Sequence, residues 1–521
     1  MGERVHKSIM NIKVGMLFYV LSLFLAFFSR RIFLDCLGAE FIGLTGMLMN
    51  IMSYLSVAEL GVGTSIIVFL YKPLQEENHE KICEVMSMLA FLYRCIGFII
   101  GLLGIAVSIF FPWWFCNINT NLTLVYFAFY SFLASSMVGY IFNYRHLLVT
   151  ANQKQYLVSA YLQSIGFAQS ITQIFLAYYY KNLYLWVIVG FVFSILGCIA
   201  FNYRIRQIYP WLQINFSLGR KCLKKYPEVL IKTKHVFWQK IKDMLLFRSD
   251  ELLIGIFVSI PTIALYGNYT IITNKLNYLV NIFSEGLAAG VGNIIAEGNK
   301  HNIMKVYWEL TAFRFVILGL VIIPPLILIQ PFIGIWLGSE YQLSEIIVNL
   351  LILHTFFRLQ CGNLYSFISA YGLYDDVWAA WTEFAINIVL TLSLAPILGI
   401  VGILISKIVS FALITVFWKP YYIFTNAFKL SVWIFWKKMF PYYSVFLLIV
   451  FLSLLAKNHF ANIYADVFYK QIMFGIIVLI PLQLLYFYLL FIFTDGMKYL
   501  IARKPHIYAI VSKFNIVSKQ H

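Results

Sequence analysis

Residues 95–111 read Cys-Ile-Gly-Phe-Ile-Ile-Gly-Leu-Leu-Gly-Ile-Ala-Val-Ser-Ile-Phe-Phe. No charge interrupts them, and the apolar run continues back past Arg94 to Ile82. Such a run is too long for a buried strand and lacks the alternation of an outer-membrane barrel strand. Roughly 20 apolar residues cross a bilayer as a helix. Working outward, the same pattern recurs fourteen times, at about 14–34, 41–70, 82–111, 122–149, 155–180, 183–204, 238–260, 262–294, 303–330, 343–371, 376–399, 401–424, 440–456 and 471–494. Short loops with Gly, Pro, Asn and charge separate the runs. The reading is an all-α polytopic membrane protein with about fourteen transmembrane helices.

Composition agrees. Of 521 residues, 61% are apolar and only 12% charged, against about half and a quarter in soluble proteins. That excludes disordered, collagen-like and coiled-coil chains and leaves no polar stretch for a soluble catalytic domain. The net charge of +17 would suggest nucleic acid in a soluble chain. Here the basic residues fall in loops between apolar runs, which points to a membrane and to no nucleic-acid partner. The seven Cys are scattered without a C-x-x-C pair, so neither zinc nor a disulfide framework is suggested. Met1–Lys13 is basic and then apolar, without an A-x-A-like site, and reads as a retained first helix.

Charge bias sets the orientation. With the N-terminus inside, the inside loops carry 28 of the 39 Lys and Arg, and the outside loops only Lys181, Lys457 and Lys470. Both termini are then expected in the cytoplasm. The outside loops carry aromatics instead, as in Pro112-Trp113-Trp114-Phe115 and Tyr178-Tyr179-Tyr180.

The chain also repeats at an offset near 220. Ile42-Gly43-Leu44-Thr45-Gly46 meets Ile263-Ala264-Leu265-Tyr266-Gly267, Asn78-His79-Glu80-Lys81-Ile82 meets Asn299-Lys300-His301-Asn302-Ile303, Arg94 meets Arg314, and the loop near Asn152 meets Gly372. An even number of spans per repeat predicts two pseudo-symmetric six-helix lobes related by an axis along the membrane normal, with a site between them. The expected organisation is a first lobe over 1–204, a basic cytoplasmic linker over 205–237, a second lobe over 238–424, and two extra helices with a basic tail over 425–521.

Charges inside a bilayer cost at least ~2.5–3.5 kcal/mol each and usually face a cavity or a partner. Arg30, Arg31, Arg94, Arg248, Lys275, Arg314, Arg358 and Lys407 lie inside the runs, as do Glu59, Asp250, Glu251, Glu285 and Glu383. Six of the eight bases are Arg, whose planar fork suits phosphate oxygens. The first seven bases are therefore candidates for a cationic substrate cavity, and Glu59, Asp250 and Glu285 for proton or sodium coupling. Plainer readings stand beside these. Arg30 and Arg31 at a helix end can snorkel to headgroups, Arg248 can pair with Asp250 or Glu251, and Lys407 can be a packing lysine. Arg94 and Arg314, deep in long runs, demand a cavity or an ion pair. No Walker A, G-x-S-x-G or H-E-x-x-H motif occurs, and no metal or organic cofactor is expected.

At this point a resemblance emerges. Arg30-Arg31-Ile32-Phe33-Leu34, Leu37-Gly38-Ala39-Glu40-Phe41-Ile42-Gly43-Leu44, Ser56-Val57-Ala58-Glu59-Leu60-Gly61-Val62-Gly63 and Leu70-Tyr71-Lys72-Pro73-Leu74 follow one another. Ser249-Asp250-Glu251-Leu252-Leu253-Ile254, Leu265-Tyr266-Gly267-Asn268-Tyr269 and Gly292-Asn293 mark the second lobe. The pattern, over roughly residues 1–430, resembles the Wzx-type polysaccharide (O-antigen) flippases of the multidrug/oligosaccharidyl-lipid/polysaccharide exporter (MOP) superfamily. The resemblance implies a transporter, not an enzyme. It would carry an undecaprenyl-pyrophosphate-linked oligosaccharide repeat unit from the cytoplasmic to the periplasmic leaflet by alternating access, for O-antigen, capsule or exopolysaccharide synthesis. Its expected partners are that lipid-linked glycan, the lipid bilayer, and a polysaccharide polymerase with other assembly proteins; the chain itself is expected to be a monomer. Tyr54, Tyr266 and Tyr269 could stack on sugars or simply pack. A multidrug/cation antiporter of the same superfamily predicts an acidic cavity, which the Arg excess opposes. A membrane-embedded glycan polymerase or ligase usually needs a sizeable outside loop, and the longest here is about 457–470. A lipid-II-type flippase differs only in its head group and stays open.

Overall fold

The computed structural model describes residues 2–59, 62–116, 121–152, 154–225, 233, 249–296, 298–373, 376–464, 470, 473 and 475–502. The described residues form helices joined by short turns. They divide into two compact units, Met1–Gly267 and Asn268–His521.

In the first unit, α1 (Gly2–Leu37) meets α2 (Ala39–Leu55) at Gly38, whose φ of 86° only glycine adopts readily. A 3₁₀ turn over Ser56–Glu59 then breaks the second apolar run, and α3 (Val62–Gln75) follows. Next come α4 (His79–Ser108), the short α5 (Phe111–Trp114), α6 (Leu122–Asn143), α7 (His146–Ala151), α8 (Gln155–Tyr180), α9 (Leu183–Ile208), α10 (Phe216–Lys225), α11 (Asp250–Phe257) and the start of α12 (Ile260–Ala296). The second unit continues from α12 through α13 (Lys300–Trp336), α14 (Glu345–Gln360), α15 (Gly362–Ala370), α16 (Val377–Leu398) and α17 (Ile400–Phe411). α17 runs on through π-helical turns at Ala412–Trp418 and Phe424–Phe428 around α18 (Lys419–Ile423). α19 (Val432–Tyr464), α20 (Ile480–Phe493) and α21 (Asp495–Ala502) complete it.

Nine helices among the described residues are long and apolar enough to cross a membrane, or ten if the pair α20 and α21, bent by 99°, counts as one span. The expected fourteen segments all coincide with helical stretches, except that of the seventh only the part from Ser249 onward lies within the described residues. The second segment is broken at its 3₁₀ turn. α8 is continuous but carries Gln163, Ser164, Gln169, Ser170 and Gln173, which lowers its apolarity.

The internal repeat is visible element by element. Asn78 caps α4 by accepting from the Lys81 amide at 3.0 Å, and Asn299 caps α13 by accepting from the His301 and Asn302 amides at 3.1 and 3.2 Å. The break at Gly38 between α1 and α2 corresponds to the break at Val258–Ser259 between α11 and α12. The turn between α6 and α7 corresponds to Cys361 between α14 and α15. Lys181 and Gly399, both left-handed in φ, end α8 and α16.

The linker does not run free at its start. The Trp211 ring stacks on His79 at 3.9 Å, the Asn215 amide donates to Ser87 Oγ at 3.1 Å, and Lys225 pairs with Glu84 at 3.0 Å. Gly219 lies on the Ser87 carbonyl, with no room for a side chain. α10 thus runs back along α4, its apolar face inward and Arg220, Lys221 and Lys225 exposed.

Close helix approach depends on similar glycines. Gly43 of α2 lies against the Ile260 carbonyl, so that a methyl group there would collide with backbone. Gly166 of α8 faces open space. Gly43→Ala should therefore lower the thermal unfolding midpoint of the purified protein, by the equivalent of about 1–3 kcal/mol. Gly166→Ala should leave the midpoint unchanged or raise it. Equal midpoints for the two variants would show that the α2–α12 contact is not tight.

Candidate functional site

The first unit gathers intramembrane charge where α1, α2, α11 and the start of α12 meet. Arg30 stands two turns before the end of α1, and its Nη2 donates to the Ala264 carbonyl at 2.7 Å. Gly267, one turn on, leaves space for the guanidinium, whose Nη2 lies 3.0 Å from where its Cβ would stand. From α11, Glu251 accepts a short hydrogen bond from Asn50 Nδ2, and Gly46, one turn earlier on α2, leaves only 3.3 Å to Glu251 Oε2. Asp250 accepts from the Tyr266 hydroxyl at 2.8 Å. Glu251 lies within the fields of both Arg30 and Asp250. One guanidinium therefore shares a small region with two carboxylates, an amide and a phenol. With both acids ionised, the group is net negative.

A second carboxylate lies at the 3₁₀ turn that breaks the second apolar run. Glu59 accepts from the Tyr93 hydroxyl of α4 at 2.8 Å, with Ser56 and Tyr140 alongside. It makes no ion pair among the described residues.

The other expected residues are placed separately. Arg31 is exposed and pairs with Asp35 at 3.8 Å along its own helix. Arg94 is also exposed, and its guanidinium covers the Phe216 ring at 3.3 Å. Neither the cavity nor the ion pair expected for Arg94 is what holds it. α4, at 30 residues, spans about 45 Å, more than the ~30 Å of hydrocarbon, and α10 from the linker lies along its first half to receive the charge. Arg248 lies outside the described residues. Glu285 falls on α12, but its side chain is likewise outside the description. Lys275 on α12 and Arg358 in the last turn of α14 are half-buried.

Arg314 is different. It is 4% exposed, forms no ion pair among the described residues, and lays its guanidinium on Gly362, beside Cys361 at the break between α14 and α15. The second unit also buries Glu383, Asn387 and Thr391 on α16, with Lys407 and Thr415, while Tyr365 is 41% exposed. Tyr365 and Thr415 share a hydrogen bond of 3.0 Å, and Thr415 reaches Glu383 at 3.5 Å. Asn50 escaped the sequence reading, as did Asn387 and Thr391, which extend Glu383 into a stripe along α16. The stripe had a signal, since polar residues at i, i+4 and i+8 share one helix face. Asn50 had none, because an isolated amide in an apolar run announces no partner. Tyr266 and Tyr269 are buried and hydrogen-bonded, Tyr269 to Gln330 and the Leu343 amide, so packing rather than sugar stacking is their role. Among the described residues no group of three or more His, Cys, Asp or Glu is arranged to hold a metal ion.

No family model matches this chain, and no curated protein matches it. Solved structures do. The chain is similar to the lipid II flippase MurJ in an inward closed conformation, with a TM-score of 0.66 and 15% identity over 93% of this chain and 99% of that one. It is also similar to an inward-facing multidrug resistance MATE family transporter of the MOP superfamily, with a TM-score of 0.53 and 13% identity over 81% and 98% of the two chains. At these identities the likeness is one of fold. The chain has the polytopic helical fold found in these membrane transporters.

If Arg30 and Glu251 form one electrostatic unit, their substitutions should not add. Arg30→Gln and Glu251→Gln, made singly and together, should show a coupling of about 0.5–3 kcal/mol in unfolding of the purified protein. Strict additivity would mean that each is held by separate partners.

Proposed function

We propose that this protein is a flippase that carries an undecaprenyl-pyrophosphate-linked oligosaccharide repeat unit from the cytoplasmic to the periplasmic leaflet of a bacterial inner membrane, supplying surface polysaccharide synthesis by alternating access. The observation that carries this reading is a guanidinium, Arg30, held inside a membrane helix of a fold shared over 93% of the chain with a lipid II flippase. A pyrophosphate and sugar head cannot cross hydrocarbon unaided, because each unsatisfied polar group costs several kcal/mol there. Arg30 offers a phosphate-binding fork, while the lipid tail stays in the bilayer. Arg94, Lys275, Arg314, Arg358 and Arg248 are further candidates along the route, and Glu59, Asp250 and Glu285 candidates for binding a coupling proton or sodium ion.

One observation favours a second reading. Asp250 and Glu251 outnumber Arg30 in its cluster, and a net negative site in this fold would suit a multidrug/cation antiporter.

Deleting the gene separates the two readings. The flippase reading expects completed lipid-linked repeat units to accumulate on the cytoplasmic face while surface polysaccharide is lost. Unchanged glycolipid with new sensitivity to cationic drugs would establish the antiporter instead. Complementation with Arg30→Ala should reduce export at least about tenfold, a change worth 1.4 kcal/mol, with normal membrane insertion. Arg31→Ala, whose side chain faces outward, should restore export within about twofold of the parent, as expected for an exposed pair. Full export with Arg30→Ala would remove it from the route.

A further inference from the structure

Two features of the sequence have no part in the Arg30 cluster: the aromatic loop Pro112-Trp113-Trp114-Phe115 and Glu40 in the stretch Leu37–Leu44. In the first unit they come together. Trp113, Trp114, Glu40 and Ser259 line a cavity of about 350 Å³, a size at the lower end of small-molecule sites. Its floor is the break between α11 and α12, at Gly255, Ile256 and Val258 to Pro261. Trp113 is 72% exposed and Trp114 47%. On the orientation set by basic-residue counting, this end faces outward.

We infer that this cavity is a saccharide subsite, in which the two indole rings receive the apolar face of a sugar and Glu40, Ser259 and the backbone of the helix break take its hydroxyls.

The chemistry of the lining selects this ligand. An aromatic face is electronegative and apolar, and it matches the C–H face of a pyranose ring. The opposite wall is rich in acceptors. Glu40 supplies a carboxylate in the first turn of α2. The Val258 and Ser259 amides both turn back to the Ile254 carbonyl, at 2.9 and 3.1 Å, so the break brings the backbone of Gly255, Ile256 and Val258 to the cavity. Ser259 Oγ shares a 2.6 Å hydrogen bond with Thr262 Oγ1, which fixes its place at the start of α12. None of the lining residues is basic. Glu40 is the one charged residue of this lining, so a neutral, hydroxyl-rich group is favoured here over a phosphate. Tryptophans that merely mark a membrane interface face lipid; these two share a concave site with a carboxylate and a hydroxyl.

The subsite deepens the flippase reading and rests on it for its biological role, but its test is separate. The full-length protein in lipid nanodiscs is probed by saturation-transfer difference NMR with N-acetylglucosamine disaccharide, maltose and lactose. Transfer from at least one of these sugars is expected. It should fall at least about tenfold with Trp114→Ala or Glu40→Gln, an effect worth 1.4 kcal/mol. It should be retained with Trp114→Phe, which keeps a ring but no indole N–H, and with Trp433→Ala, an exposed tryptophan outside the cavity. No transfer from any of the three sugars overturns the subsite, as does transfer that Trp114→Ala and Glu40→Gln leave intact. If transfer fails while gene deletion still strands glycolipid on the cytoplasmic face, the subsite is wrong and the flippase stands. If sugar binds and deletion leaves glycolipid unchanged, the subsite stands and the flippase reading falls.

Discussion

Hydrocarbon offers no hydrogen-bond partner and stabilises no charge, and the rest of this structure follows from that constraint. Helices satisfy their own backbone groups, so the long apolar runs among the described residues are helical. Each place where a helix stops inside the fold must then be managed by a cap, a glycine or a polar side chain. The breaks at Gly38, at Val258–Ser259 and at Cys361 are also where polar chemistry collects. Arg30 reaches α12 just beyond the Val258–Ser259 break, and Arg314 lies on the Cys361–Gly362 break. Breaking a helix frees backbone groups, and the side chains that answer them make a site.

This explains what could be read from the sequence and what could not. Apolar run length gives helix positions directly, because it measures a fixed bilayer thickness. The repeat was legible at Asn78 and Asn299 because capping needs a short polar side chain immediately before a helix, whatever the tertiary context. The fate of the charges was not legible in the same way. Arg30 and Glu251 are 221 positions apart, and Asn50 gives no sign that it completes their group. Arg94 looks deeply buried in the sequence because its aromatic cover, Phe216, comes from a linker that composition alone marks only as basic and cytoplasmic. Helix position is a local property of sequence, whereas charge compensation is a property of contacts.

Arg94 and Arg314 also show how one repeat plan supports two solutions. They occupy equivalent places on α4 and α13, yet one is exposed over an aromatic ring and the other is buried on a glycine. The turn between α14 and α15 presents Gly362, with no side chain to obstruct a guanidinium. The corresponding turn between α6 and α7 presents Arg145, which donates to Asn202 at 3.0 Å. Two guanidinium groups at one turn would repel strongly in a medium of low dielectric constant. In the first unit, Arg94 instead meets Phe216 of α10, and the start of the linker is docked as a result.

The acids around Arg30 pose a question for any anion carrier, since they compete with the substrate for the guanidinium. An exporter, however, must return empty. A partly buried guanidinium without a counter-ion is costly to desolvate, and on the flippase reading that cost would fall on every return step if Arg30 met only substrate. On the flippase reading, Glu251, which lies in the field of Arg30, would let Arg30 exchange one anionic partner for another and stay compensated in both states. That exchange would weaken intrinsic affinity for a pyrophosphate, which is no disadvantage to a carrier that must release its cargo. The electrical work supports the same direction. Moving a negative head group outward across an inside-negative membrane is favourable by about 2.3 kcal/mol per charge per 100 mV. On the flippase reading, the acidic neighbours of Arg30 are therefore what allows a strong phosphate-binding side chain to serve in a cycle rather than in a trap.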